Sequence, residues 1–188
     1  MDEKDKKMIT QLQADGRTTL QDIAKNIGLT SMGTKKRLEK LLKNRAIKIS
    51  ALINPNALEL HPAIVMLEME SAEAMQNLLE RFQDCPRVIQ IFKTMGGYNL
   101  IAIVVAETQE TLESISMEKC SLRCSKGIRR SEFYPISETY FSPFLQIREN
   151  LAQKEKKPPC NVDCDPCNRY ENKKCVGCPT TVNYRGTL

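Results

Sequence analysis

Five cysteines stand within the last 29 residues, in the pattern Cys160-x3-Cys164-x2-Cys167-x7-Cys175-x2-Cys178. Thiolates are soft ligands, and two of them separated by two residues grip one ion from a single turn. The pairs Cys164/Cys167 and Cys175/Cys178 would thus surround a tetrahedral zinc ion and leave Cys160 over. The same run offers Cys160, Cys164 and Cys167, with Cys178 ahead of Pro179 as fourth ligand, to a [4Fe-4S] cluster. A cofactor is expected, zinc or an iron-sulfur cluster, and the spacing leaves the two open. Asp165-Pro166, Gly177 and Pro179 provide turns. Residues 160–188 hold too few aliphatic side chains to bury a core, so a metal is expected to hold them together.

A second constellation is cationic. Lys35, Lys36, Arg37, Lys40 and Lys43 fall on one helical stretch, with Thr30 as its cap and small polar Ser31 and Thr34 near its start. Such a helix fits a major groove: its first residues meet base edges and its long cations meet phosphates. Thr30, Ser31, Thr34, Lys35, Lys36, Arg37 and Lys40 are therefore assigned to double-stranded DNA. The plainer alternative is a solvated basic face on an ordinary three-helix unit. The tight turn and caps directly ahead of the cations weigh against it.

The elements that position this helix are legible. Met8, Ile9 and Leu12 recur at helical spacing, and Asp15-Gly16 stops that helix. Thr18, with Gln21 three residues on, has the capping-box arrangement, and Leu20, Ile23, Ala24 and Ile27 make an apolar stripe. Gly28-Leu29 turns the chain into a third helix, Ser31 to about Asn44, with Leu38, Leu41 and Leu42 expected inward. About three residues between helices two and three is a helix-turn-helix connection. Lys48 to Ile53 alternates and reads as a short strand before the break at Asn54-Pro55.

From residue 62 the periodicity changes repeatedly. It gives a strand Ile64–Met69, a helix with Met75, Leu78, Leu79 and Phe82 on one stripe, and strands Val88–Phe92 and Leu100–Val105. A helix around Leu112 and Ile115 and a strand Ile128–Ile136 follow. This is βαββαβ, an antiparallel four-stranded sheet with two helices on one face. Leu100, Ala102 and Val104 point one way and Ile101, Ile103 and Val105 the other, so the uncovered face is apolar too. Dimerisation through the sheet is expected, the alternative being cover by the C-terminal tail. Farther on, Ser142-Pro143 reads as a helix start, with Phe144, Leu145, Ile147 and Leu151 on its apolar side. Lys154–Lys157 and Pro158-Pro159 make a stiff connector.

Charge is sorted along the 188 residues, whose net charge is +5. Residues 1–50 hold 12 basic and 6 acidic side chains, residues 51–140 hold 8 and 12, and residues 141–188 hold 8 and 5. A basic block joined to a mildly acidic one suits a polyanion reader tethered to something that does not bind polyanions. The longest apolar run, Leu100–Ala106, falls far short of the roughly 18 residues of a membrane span. The charged start lacks the apolar stretch of a secretory signal, so a reducing cytoplasm is expected and disulfides are not. His61, beside Pro62, is the sole histidine. No glycine-rich phosphate loop or carboxylate pair appears, so an enzyme is not expected. Cys120 and Cys124, four apart, could share a helix turn and a metal. Like Cys85, they read more simply as small buried hydrophobes.

Residues 1–137 resemble the Lrp/AsnC family of transcription regulators. The matching residues are Asp15-Gly16-Arg17, Asp22-Ile23-Ala24, Gly28-Leu29-Thr30, Arg37-Leu38 with Leu41 and Ile47, and Gly96-Gly97-Tyr98-Asn99-Leu100. The resemblance implies an α+β protein: a winged helix-turn-helix DNA-binding domain (1–60), then a βαββαβ, ferredoxin-like effector and dimerisation domain (61–137). A helix and linker (138–159) and a small cysteine-rich metal module (160–188) would follow. It also implies a homodimer or higher homo-oligomer and an amino-acid-like effector bound near Gly96, Gly97, Tyr98 and Asn99. Asn99 replaces the family's usual Asp and Arg45 its usual Gly, so the ligand class stays open and the wing turn differs. The expected function is sequence-specific regulation of transcription, modulated by a metabolite, a metal or a redox state. The alternatives are an iron-sulfur electron-transfer or cluster-dependent protein, since the Cys160–Cys167 spacing resembles the cluster loops of radical enzymes, and a DNA-architectural protein without an effector.

Overall fold

The computed structural model describes residues 1–148 and 155–188. It divides into two compact units, Met1–Ala51 and Leu52–Leu188. Among the described residues no helix is long and apolar enough to cross a membrane.

The first unit has three helices, α1 (Glu3–Ala14), α2 (Leu20–Ile27) and α3 (Ser31–Lys43). Asp2 and Asp5 form a capping box at the start of α1. Thr19, not Thr18, caps α2, accepting from the Asp22 amide at 3.2 Å. Thr18 is occupied elsewhere, its hydroxyl donating to the Asp15 carbonyl at 2.7 Å. Gly28, at φ +65°, ends α2 in the left-handed conformation. Thr30 then caps α3, accepting from the Gly33 amide at 3.1 Å. Met8, Ile23, Ile27 and Leu41 form the core, with Leu38 packed against it. Leu42, expected inward, is exposed, because one step along a helix turns it about 100° from Leu41. The strand expected over Lys48–Ile53 does not form: Ile49 and Leu52 are exposed, and Ile53 alone makes a bridge, to Leu145.

The second unit carries β1 (His61–Met69), α4 (Ala72–Phe82), β2 (Val88–Lys93), β3 (Leu100–Ala106), α5 (Gln109–Met117) and β4 (Ile128–Pro135). The strands form one antiparallel sheet in the order β2-β3-β1-β4. Val65 of β1 lies opposite Ala102 and Phe133 and, with Leu67 and Leu100, packs under Leu78 and Phe82 of α4 and Leu112 of α5. The other face presents half-buried Ile64, Met66, Ile101 and Ile103 and exposed Phe92 and Tyr134. Among the described residues only its Val105 end is covered, by Leu60, Ile147 and Leu188 with Tyr184 beside them.

The helix expected from Ser142 is absent over residues 142–148. The amide and carbonyl of Leu145 both pair with Ile53, at 2.8 Å each, and so are unavailable to a helix ladder. Leu151 and Lys154 lie outside the described residues. The cysteine-rich tail has one short helix, α6 (Asn168–Glu171), and docks onto α5. Ser114 donates to the Lys174 carbonyl at 3.0 Å, the Val176 amide donates to the Thr111 hydroxyl at 3.2 Å, and Arg169 pairs with Glu113 at 3.2 Å.

Candidate functional site: a nucleic-acid face, an effector loop and a thiol chamber

Helix α3 sorts its assigned residues into two sets. Ser31, Lys35, Lys36, Lys40 and Lys43 are exposed, and among the described residues Lys36, Lys40 and Lys43 make no ion pair. Lys35 stands 3.8 Å from Glu39, both more than half exposed, a contact worth too little to hold it from a phosphate. Two assignments need correction. Thr34 is fully buried and donates to the Thr30 carbonyl at 3.1 Å, so it cannot reach a base. Arg37 turns back onto α1, donating to Asp2 at 2.7 Å and Asp5 at 2.9 Å. It braces the scaffold. The Asp5 amide, then Arg37, hold the Asp2 carboxyl below its ordinary value, and the Asp2 amide with Arg37 does the same for Asp5. Thr30 acts through its cap, fixing where the helix begins. Sequence reading missed Met32, an apolar side chain left 64% exposed one turn before Lys36. The signal was present, since Met32 lies off the stripe of Leu38 and Leu41.

The effector loop is asymmetric. Gly96 and Gly97 are exposed, whereas Asn99 is tied to β1, accepting from the Met69 amide at 2.8 Å and donating to its carbonyl at 2.9 Å. The Tyr98 ring lies under the Arg130 guanidinium, 4.3 Å from centroid to carbon, and its buried hydroxyl has no hydrogen-bond partner among the described residues. Arg130 also stands 3.8 Å from Glu68, and Glu132 accepts from Tyr134. The loop thus meets charges of both signs along β4. Those residues were missed, although alternation puts Arg130, Glu132 and Tyr134 on one face.

The tail cysteines do not gather alone. Cys160, Cys164, Cys175 and Cys178 line a cavity of about 60 Å³ whose wall also contains Cys85 and Cys120. Cys167 is absent from that wall and lines the neighbouring recess, which Cys120, Cys164 and Cys175 also line. Cys120 and Cys124 share no helix turn, because α5 ends at Met117; exposed Cys124 donates to the Met117 carbonyl at 3.2 Å. The remaining chamber wall is apolar apart from Arg87. Burial pushes the Cys85 and Cys164 thiols up to about 11 and raises those of Cys120 and Cys160. Such thiols are poor free nucleophiles near neutral pH and ionise only against a cation. Among the described residues no three Cys, His, Asp or Glu side chains converge on a single point as ligands of one ion.

Two family descriptions match the chain: the AsnC-type helix-turn-helix domain over residues 1–42 and the Lrp/AsnC ligand binding domain over residues 62–143. The HTH-type transcriptional regulator FL11 of Pyrococcus horikoshii is 29% identical over 115 residues, 61% of this chain and 76% of the relative. The structure of E. coli AsnC superposes with a TM-score of 0.65 at 18% identity, covering 76% of this chain and 95% of that one. The Neisseria meningitidis regulator NMB0573, solved as a complex with L-Met, gives 0.67 at 16% identity, covering 80% and 97%. Neither family match extends past residue 143.

Proposed function

As the chain belongs to the Lrp/AsnC family of DNA-binding transcriptional regulators, we propose that Ser31, Met32, Lys35, Lys36 and Lys40 form its contact with an operator. The observation that carries this reading is the outward face of α3. Lys36 and Lys40 there, like Lys43 beyond them, lack any carboxylate partner among the described residues, on a helix whose start is fixed by Thr30. Cations so placed gain by displacing counterions from phosphates, while Ser31 and Met32 lie where base edges are read.

The half-buried Ile64, Met66, Ile101 and Ile103 support a dimer, since they give the sheet an apolar face that, among the described residues, the tail covers at one end only. The effector is of amino-acid type. Arg130 can meet a carboxylate and Glu68 or Glu132 an ammonium beside Gly96 and Gly97, and the solved relative with L-Met supports that ligand class. Asn99 shapes the loop, since one acceptor site and one N–H of its amide are bonded to the Met69 backbone. The cysteine-rich tail adds a metal-binding element, of zinc or iron-sulfur type, to this regulator.

The test is selection of bound fragments from genomic DNA, followed by footprinting in a salt titration. A discrete site with a steep salt slope is expected. Affinity that is independent of sequence, or absent, ends the proposal.

A further inference from the structure

The thiol chamber joins two parts of the chain that the cysteine spacing treats separately. Cys85 precedes β2, Cys120 follows α5, and the four tail cysteines close over them. The cavity is roughly four to six times the space that one water needs, about 10–15 Å³. Its wall of Val65, Phe82, Val88 and similar side chains offers water almost no partners. The sulfurs are what remains for an occupant to recognise.

Zinc would draw four sulfurs onto one point, at about 2.3 Å each. Among the described residues no such convergence exists. Cys167, which the zinc arrangement needs, lines the neighbouring recess together with Cys164 and Cys175 and is absent from the chamber wall, where Cys160 stands. A sulfide-bridged cluster, by contrast, takes its thiolates at separate irons and spreads them around a larger body.

Resting on the reading of the tail as a metal module, we propose that the chamber holds one [4Fe-4S] cluster ligated by Cys160, Cys164, Cys175 and Cys178, with Cys85 and Cys120 of the ligand-binding domain as its floor. Loading from a cluster carried by small thiolates is a ligand exchange. Each of the four cysteines forms a sulfur–iron bond, a small thiolate leaves, and the cysteine proton goes to it, so no electron is transferred. The loaded site is net negative, and the one charged side chain in its wall is Arg87, which is paired with Glu107. The cluster would fasten the tail to α4, α5 and the sheet.

The experiment uses the anaerobic full-length chain, offered either a synthetic thiolate-ligated [4Fe-4S] cluster or zinc alone. Metal and sulfide content, visible absorbance and alkylation of each cysteine by mass spectrometry are the readouts. One cluster per chain is expected, with Cys85 and Cys120 protected at least tenfold alongside the four ligands while Cys124 stays reactive. C160S should lose the cluster and C167S keep it. Protection of Cys85 and Cys120 is read in the unsubstituted chain, so the outcome does not depend on any variant folding. One zinc per chain, lost in C167S, kept in C160S and leaving Cys85 and Cys120 reactive, overturns the cluster and keeps the metal module. Failure to bind either overturns both, and operator binding, measured separately, is untouched.

Discussion

Arg87, ahead of β2, donates to the carbonyl of Gly177 in the Cys175–Cys178 turn at 2.7 Å. The same guanidinium grips Glu107 at 2.5 and 3.1 Å, and both side chains are almost wholly buried. Tyr184 closes the arrangement by donating to Glu107 at 2.5 Å. Burial alone would lower the Arg87 pKa, but the Glu107 carboxylate outweighs it and raises the value. A residue just ahead of β2 thus fixes the backbone of a cysteine turn 90 positions away.

Removing Arg87 leaves the Glu107 charge buried without a partner. R87L is expected to destabilise the second unit by about 3–5 kcal/mol, and R87L/E107L to recover much of that loss. Denaturant unfolding of the full chain measures both. Equal stability in R87L and the unsubstituted chain contradicts the assignment.

Gly177 has φ +86°, and a Cβ there would stand 3.0 Å from the Asn183 carbonyl oxygen and 3.1 Å from the Tyr170 ring. G177A should cost about 1–3 kcal/mol and speed alkylation of Cys175 and Cys178 as the turn loosens. Unchanged thiol reactivity would show that the turn tolerates a side chain.

On α3, K36A and K40A should each lower the log–log salt slope of DNA binding by about one, with affinity falling evenly across sequences. M32A should relax preference at one position of the site. R37A should leave the slope intact and lower the melting temperature of the first unit, because its guanidinium serves Asp2 and Asp5. A slope lost in R37A would return that residue to the interface.

Acid should act on the same brace. Asp2 and Asp5 have folded pKa values below their ordinary 3.8, so the stability they contribute is present above that value and is lost as pH falls through the lower, folded ones. Melting of the first unit should hold steady from neutral pH to about 5 and then drop toward pH 3. R37A should flatten that drop. Scanning calorimetry across this range decides it.

The residues that sequence analysis placed well are those whose periodicity is local. The stripe Ile23, Ala24 and Ile27, the cap at Thr30 and the alternation Leu100–Ala106 each follow from 3.6- or 2-residue repeats, and they carried the helix-turn-helix and βαββαβ readings. What failed depended on partners distant in sequence. Arg37 looks like any other cation of its helix until Asp2 and Asp5 fold beside it. Ser142-Pro143 reads as a helix start until Ile53 claims the Leu145 backbone. Cys85 and Cys120 have no spacing relationship to the tail, so nothing in the chain order marks them as its neighbours.

The outward face of the sheet supplies another test. I103E places a carboxylate among Ile64, Met66 and Ile101, and should convert the proposed dimer to a monomer in sedimentation while weakening operator binding at least tenfold. An unsubstituted chain that already sediments as a monomer rules out this interface.

Because Arg87, Glu107, Cys85 and Cys120 belong to the domain and yet seat the tail, the last thirty residues are no detachable cassette. Grafting them onto a shorter regulator would require transplanting those four side chains as well. Trimming them here would strand a charged pair and bare a sulfur-lined hollow, an invitation to aggregate.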